Sequence, residues 1–348
     1  MKISEDSWVK FSSHKRPQMT RNKVLVTGAT GFLGRRTVEM LVERGFQVRA
    51  LVRTPSKAGN LAHLDVEVVQ GDVADSESLE PAFEGIDYVV HAAADTSGTE
   101  EGARKVTIGG TRNILDLSAS HQVRKLVYIS SCSVYGSVDY KDGQMIDEST
   151  LLERLPEQRG IYSWAKLEAE KLVTEHMENG KAEIVCLRPG TIYGPRGEDF
   201  SPMLGYGLNN KIFIIIHKNG FIMPLVYIDN LVHAIITAMV QEKSAGQVYN
   251  VVDSQQIDKK EYIDKYIRKQ YPDAWCIYVP YNLLSSLVSI QEKTFKTLRI
   301  KPFLSSYRLI SSQKPVIYDS TKIMNHLGWQ PEIPFQDAVE RMMEYGKR

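Results

Sequence analysis

Three glycines stand between a β-branched run and a helical stretch in Val24-Leu25-Val26-Thr27-Gly28-Ala29-Thr30-Gly31-Phe32-Leu33-Gly34, and few folds accommodate them there. Gly28 can make a tight turn after a strand, Gly31 lets backbone amides approach a phosphate, and Gly34 lets the following helix pack closely on a sheet. The spacing is G-x-x-G-x-x-G, one residue longer than the plain dinucleotide fingerprint. Downstream, Val24–Thr27, Gln47–Val52, Val66–Gln70, Asp87–His91, Lys125–Ser130 and Glu183–Leu187 read as strands that are apolar on both faces. Between them Phe32–Arg44, Ser76–Phe83, Gly109–His121 and Tyr162–Glu178 repeat apolar residues at helical spacing. Strands of that kind belong in a parallel sheet covered by helices, so an α/β, doubly wound parallel sheet with right-handed crossovers is predicted.

After Pro189 the alternation fails, and Gly, Pro, Asn and aromatic residues rise up to Pro224. A further strand is expected at Gln247–Val252. The organisation predicted is a leader over 1–22, a dinucleotide-binding domain over 23–189 plus 226–256, and a smaller interleaved substrate lobe over 190–225 plus 257–348. The leader mixes Lys2, Glu5, Asp6, Lys10, Lys15 and Arg16 with few apolar residues and reads as disordered. The 43 basic and 42 acidic side chains leave a net charge of +1, which disfavours nucleic acid as a partner. Cys132, Cys186 and Cys276 are too few and too far apart for a disulfide framework or a zinc site, so no metal is expected and a reducing cytoplasm is the expected location. No stretch approaches the roughly 20 apolar residues of a spanning helix. The segment 281–304 sets Lys293, Lys296, Arg299 and Lys301 among Leu, Ile and Phe; it reads as a packed amphipathic helix, with a lid or peripheral membrane contact as the alternatives.

Candidate binding residues follow from the strand ends. Where an acidic residue would hold an adenosine ribose hydroxyl, the chain has Val52 and then Arg53, whose guanidinium suits a 2′-phosphate; NADP(H) is therefore expected over NAD(H), which stays the alternative. Asp72, with Val73 beside it, can accept from an adenine amino group. Ala92, Ala93 and Ala94 let the main chain approach the cofactor, and His91 before them reads as structural.

Tyr162 and Lys166, four residues apart at a helix start, share one face. A neighbouring ammonium favours phenolate and brings the tyrosine towards the range of a proton shuttle, while Ser131 after the fifth strand can hydrogen-bond a substrate oxygen.

With these residues in this order, and with Leu187-Arg188-Pro189-Gly190-Thr191-Ile192-Tyr193-Gly194-Pro195-Arg196, Val226-Tyr227-Ile228-Asp229-Asn230 and Leu327-Gly328-Trp329-Gln330-Pro331, the chain resembles the extended short-chain dehydrogenase/reductase family, also called the epimerase/dehydratase family. The resemblance runs from about Lys23 to the C-terminus. It implies a Rossmann domain, a triad of Ser131, Tyr162 and Lys166, a ribose contact from Lys166, Pro189 near the carboxamide, and a homodimer built through helices of the sheet domain, the Tyr162 helix included. Around the phosphates it implies Gly28, Thr30, Gly31, Phe32, Leu33 and Gly34.

Four departures bear on the substrate. Cys132 and Ser133 stand where dehydratases carry Asp-Glu, Thr191 and Met223 where nucleotide-sugar members carry Asn and Arg, and Thr107 where an Asn is common. Ser131, Ser133, Thr191 and Met223 are the candidate substrate contacts. The run Phe213, Ile214, Ile215, Ile216, Phe221, Ile222, Met223, Pro224, Leu225 looks more like the 3β-hydroxysteroid dehydrogenase branch; it either lines an apolar pocket or forms the lobe's own core. The expected activity is hydride transfer between a nicotinamide and a secondary alcohol or ketone. The alternatives are a UDP-sugar 4-epimerase and a catalytically silent NADP-sensing regulator.

Overall fold

The computed structural model describes residues 22–346 except 181, 299 and 301–303. The expected leader therefore lies, Asn22 apart, outside the described residues. Strands Lys23–Thr27 (β1), Gln47–Val52 (β2), Glu67–Gln70 (β3), Tyr88–His91 (β4), Lys125–Ile129 (β5), Ile184–Pro189 (β6) and Val248–Val251 (β7) form one parallel sheet in the order β7-β6-β5-β4-β1-β2-β3. The order reverses between β1 and β4, where a doubly wound sheet opens a crevice beyond its carboxyl ends. Those ends are level: Thr27 pairs with His91, His91 with Tyr128, and Val52 with Gln70.

Alternation along β1 shows why both faces had to be apolar. Val24 and Val26 pack into a core with helices Phe32–Glu43 (α1) and Ile228–Val240, whereas Leu25 faces helices Ser76–Phe83, Gly110–Ser120 and Ile161–Glu178. β3 departs from the expectation of a buried strand, with Val68 exposed, because it closes the edge of the sheet. The helix expected at Gly109 begins earlier, at Glu100, and passes through a π-helical segment, Ala103–Gly109. Such segments recur at functional sites; this one packs Ala103 against Trp164 and Ala165 of the Tyr162 helix.

Beyond Pro189 the chain builds small sheets. Thr191–Tyr193 pairs with Leu225–Tyr227, Met145–Ile146 with Ile317–Tyr318, Ile222–Met223 with Ile257–Asp258, and three strands, Gly205–Leu208, Ile212–His217 and Trp275–Pro280, lie side by side. Among the described residues Leu225–Tyr227 pairs only with Thr191–Tyr193, although Val226 and the helix after it pack against the large sheet, and Val248–Val251 joins that sheet as a strand. Gly190 permits the detour, since a Cβ there would lie 2.1 Å from the Pro224 carbonyl oxygen. Much of the apolar run is core. Phe213, Ile215, Phe221, Met223 and Leu225 are buried in one cluster with Tyr262, Ile263 and Phe335, while Ile222, Met223 and Pro224 also form part of the wall of a cavity of about 230 Å³.

Two of the resembling motifs turn out to brace each other. Trp329 is buried and donates from Nε1 to the Asn230 carbonyl at 3.1 Å, while Asn230 donates from Nδ2 to Asp253 at 2.8 Å and accepts from Ile333 N at 3.0 Å. Among the described residues no helix is long and apolar enough to cross a membrane.

Candidate active site

At the carboxyl edge of the sheet the glycine loop leaves little room for side chains. Gly28 has φ +69°, and a Cβ on it would meet the Ala93 nitrogen at 2.9 Å; a Cβ on Gly34 would meet the Gly28 carbonyl oxygen at 2.1 Å. Gly31 occupies the N-cap of α1, so no side chain occupies the N–H groups of Phe32 and Leu33, which point out of the positive end of the helix. Ala92, Ala93 and Ala94 follow β4, half-buried, and Ala93 N donates to Thr27 Oγ1 at 3.3 Å. This helix start, with its N–H groups uncapped by any side chain and glycine and alanine around it, fits the diphosphate of a dinucleotide.

Around it the other candidates fall at neighbouring strand ends. Asp72 accepts from Ala74 N at 3.0 Å through Oδ1, and Val73 is buried under Gly110. Thr30 accepts from Asn60 Nδ2 at 3.4 Å through its carbonyl. Arg53 is exposed and, among the described residues, forms no ion pair. His91 is a brace. Thr111 Oγ1 donates to the Thr107 carbonyl at 2.6 Å, so it accepts from His91 Nε2 at 3.1 Å; His91 Nδ1 then accepts from Thr27 Oγ1 at 2.7 Å. Burial, with Lys166 nearby, pushes this imidazole down to about 3, which keeps it neutral in that tautomer.

Ser131 follows β5 and caps a short 3-10 turn, Cys132–Val134, its Oγ accepting from Ser133 N at 3.1 Å. Lys166 is buried, and its Nζ donates to the Ile129 carbonyl at 2.8 Å, two residues before Ser131. One hydrogen bond thus ties the Tyr162 helix to the strand that carries Ser131. Tyr162 itself is 52% exposed. Its hydroxyl end is crowded by protein, which raises the phenol, and only the Ser131 hydroxyl counters this. Burial lowers Lys166 from its ordinary value to about 8.

Behind these residues lies a buried network that the sequence reading missed. Glu170 accepts from Arg188 Nε at 2.9 Å and from Ser130 Oγ; Arg188 Nη1 donates to Tyr135 Oη at 2.7 Å, and Tyr135 donates to Asn250 Oδ1 at 2.6 Å. Glu170 and Arg188 are both nearly inaccessible. The signal was present, because Tyr162, Lys166 and Glu170 continue one spacing of four along the same helix face. Thr107 belongs to the π-helical segment and accepts from Asp95 N at 2.9 Å.

The substrate candidates are not all brought together. Ser133 lies beside Ser131, and its Oγ is buried with no partner among the described residues. Pro189 ends β6, and Thr191 just beyond it donates through its N–H to the Pro224 carbonyl at 2.6 Å. Met223 is buried in the core cluster and lines a cavity of about 230 Å³ whose walls include neither Ser131 nor Tyr162.

Comparison with known proteins agrees with this arrangement. Residues 24–251 match the model of the NAD dependent epimerase/dehydratase family. The uncharacterized protein YbjS of Escherichia coli is 27% identical over 338 residues, 93% of this chain and 99% of its own. A 3 beta-hydroxysteroid dehydrogenase/Delta 5→4-isomerase of Mycobacterium tuberculosis is 32% identical over 257 residues, 69% of this chain and 67% of its own. The crystal structure of gox2253 superposes with a TM-score of 0.79 at 25% identity, covering 94% of this chain and 98% of that one. UDP-glucose 4-epimerase of Thermotoga maritima shares the fold, with a TM-score of 0.72 at 20% identity over 93% of this chain and 98% of its own. With the family model matching well over half of the chain, the chain is an enzyme of the NAD dependent epimerase/dehydratase family, the extended short-chain dehydrogenases/reductases.

Proposed function

We propose that the chain interconverts a secondary alcohol and a ketone on a hydrophobic substrate, with Ser131, Tyr162 and Lys166 as its catalytic residues and NADP(H) preferred over NAD(H). The observation that carries this reading is the 2.8 Å bond from Lys166 Nζ to the Ile129 carbonyl, which draws the Tyr162 helix to the end of β5. Gly28, Thr30, Gly31, Phe32, Leu33 and Gly34 would hold the cofactor phosphates, Asp72, Val73 and Ala92 to Ala94 the adenosine half, and Pro189 and Lys166 the nicotinamide half. The bound nicotinamide supplies the hydride donor or acceptor. Ser131 Oγ accepts from Ser133 N and its hydroxyl meets that of Tyr162, so a substrate oxygen set between the two would take the Ser131 proton. Tyr162 gives that oxygen a proton in reduction and takes it back in oxidation, and the raised phenol of the polypeptide alone is the protonated form reduction needs. Lys166 adds a buried positive charge beside the developing phenolate.

Two features support the substrate class. Relatives named hydroxysteroid dehydrogenases align over most of the chain, among them an Arabidopsis 3beta-hydroxysteroid-dehydrogenase/decarboxylase, 29% identical over 93% of this chain and 80% of its own. Thr191 and the buried Met223 also offer no bidentate cation for a sugar diphosphate. Nicotinamide absorbance followed against a panel of steroid ketones, and separately UDP-sugars, tests the reading. Net NADPH consumption with a ketone is expected; UDP-sugar isomerisation at constant absorbance would transfer the chain to the epimerases, and binding without turnover would make it a sensor. Tyr162→Phe should lower kcat by about 10²–10⁴-fold with cofactor affinity nearly unchanged; turnover that survives the change removes the proton transfer from Tyr162.

A further inference from the structure

The three-stranded sheet beyond Pro189 buries one face and leaves most of the other bare. Phe213 and Ile215 point into the core, so Ile212, Ile214 and Ile216 point outward. Helix Tyr281–Leu298 covers only the end of that outer face, where Val288 and Leu284 meet Ile216 and Leu309. The rows it leaves uncovered set Trp275 beside Ile212 and Leu208, then Ile277 beside Ile214. Trp275 is 74% exposed and Leu208 53%. Val288 is the one buried residue among those described in the helix, which presents a second apolar stripe outward: Leu283, Leu287 and Ile290, each more than half exposed. The amphipathic helix expected to pack is thus apolar on two sides, one docked and one open.

Charge follows the same face. Residues 204–220 contain Lys211 and Lys218 and no acid, and helix Tyr281–Leu298 contains Lys293 and Lys296 against Glu292 alone. Because the whole chain is only +1, the remainder is net acidic. Lys211, Lys293 and Lys296 are exposed. A two-fold contact between copies through this surface would set lysines against lysines, which argues against a second copy as its occupant.

We propose that this face, the open stripe of helix Tyr281–Leu298 together with the bare rows around Trp275, docks on the surface of an anionic phospholipid bilayer. The apolar side chains enter the headgroup boundary and the lysines pair with lipid phosphates, an interfacial and not a spanning association. The proposal is independent of the chemistry assigned to Tyr162. Its test is sedimentation of the full chain with vesicles of phosphatidylcholine alone, and of phosphatidylcholine with an equal part of phosphatidylglycerol. Binding to the anionic vesicles, reversed by salt, is expected. The double changes Leu283→Gln with Leu287→Gln, and Lys293→Gln with Lys296→Gln, should each lower the partition coefficient by about tenfold or more at an unchanged melting temperature. A wild-type chain left in the supernatant with anionic vesicles overturns the proposal, as does undiminished binding of both variants. Sedimentation velocity showing a dimer that Leu287→Gln dissolves would overturn it in favour of self-association.

Discussion

Arg53 stands exposed at the carboxyl end of β2 with no acidic partner among the described residues, so nothing offsets what it gains from a 2′-phosphate. A charge-assisted bond of about 1.5–3 kcal/mol makes Arg53→Ala weaken NADPH binding roughly tenfold to a hundredfold and NADH binding little, which paired nucleotide titrations would measure. Glu170 is the opposite case, a carboxylate sealed against Arg188. Glu170→Gln strands a buried guanidinium and should cost about 3–5 kcal/mol of stability in urea unfolding. Lys259 is buried and, among the described residues, meets no carboxylate, its Nζ donating to the Ile216 carbonyl at 2.9 Å and to Gln313. Burial lowers it from 10.5 to about 7. The unfolded chain therefore holds more protons on this group between those values, and stability should rise with pH across that window. Lys259→Met should flatten the rise when melting temperatures are compared across it.

Among the elements, α1 has the narrowest tolerance, since its first turn touches the loop that precedes it. Gly34→Ala places a Cβ against the Gly28 backbone, which cannot yield as a side-chain tip would. The helix must shift off the sheet, at about 1–3 kcal/mol in unfolding experiments and with loss of cofactor affinity. These elements were legible because local rules govern them: period two along β1, helical spacing in α1, and glycine between. The π-helical segment Ala103–Gly109 and the paths of Thr191–Tyr193 and Leu225–Tyr227 were not, because each is decided by what packs against it. Met223 shows the same limit within the candidate site. Its burial came from tertiary structure: a two-residue strand pairing with Ile257–Asp258 buries it at the wall of the 230 Å³ cavity.

For the whole molecule, the parallel sheet, its crevice and the choice of Ser131, Tyr162 and Lys166 as candidate residues were legible in the sequence by itself, since they rest on residue type and spacing along single elements. What holds Lys166 in place was not: its ammonium is anchored on the carbonyl of Ile129, 37 residues away. Tertiary structure alone joined Ser130, Glu170, Arg188, Tyr135 and Asn250 into one buried network across four separate stretches of chain. It also decided which apolar residues are core and which are surface. Composition counts Phe213 and Trp275 alike, and only the pairing of three short strands with one helix over part of their outer face buries the first and leaves the second in water.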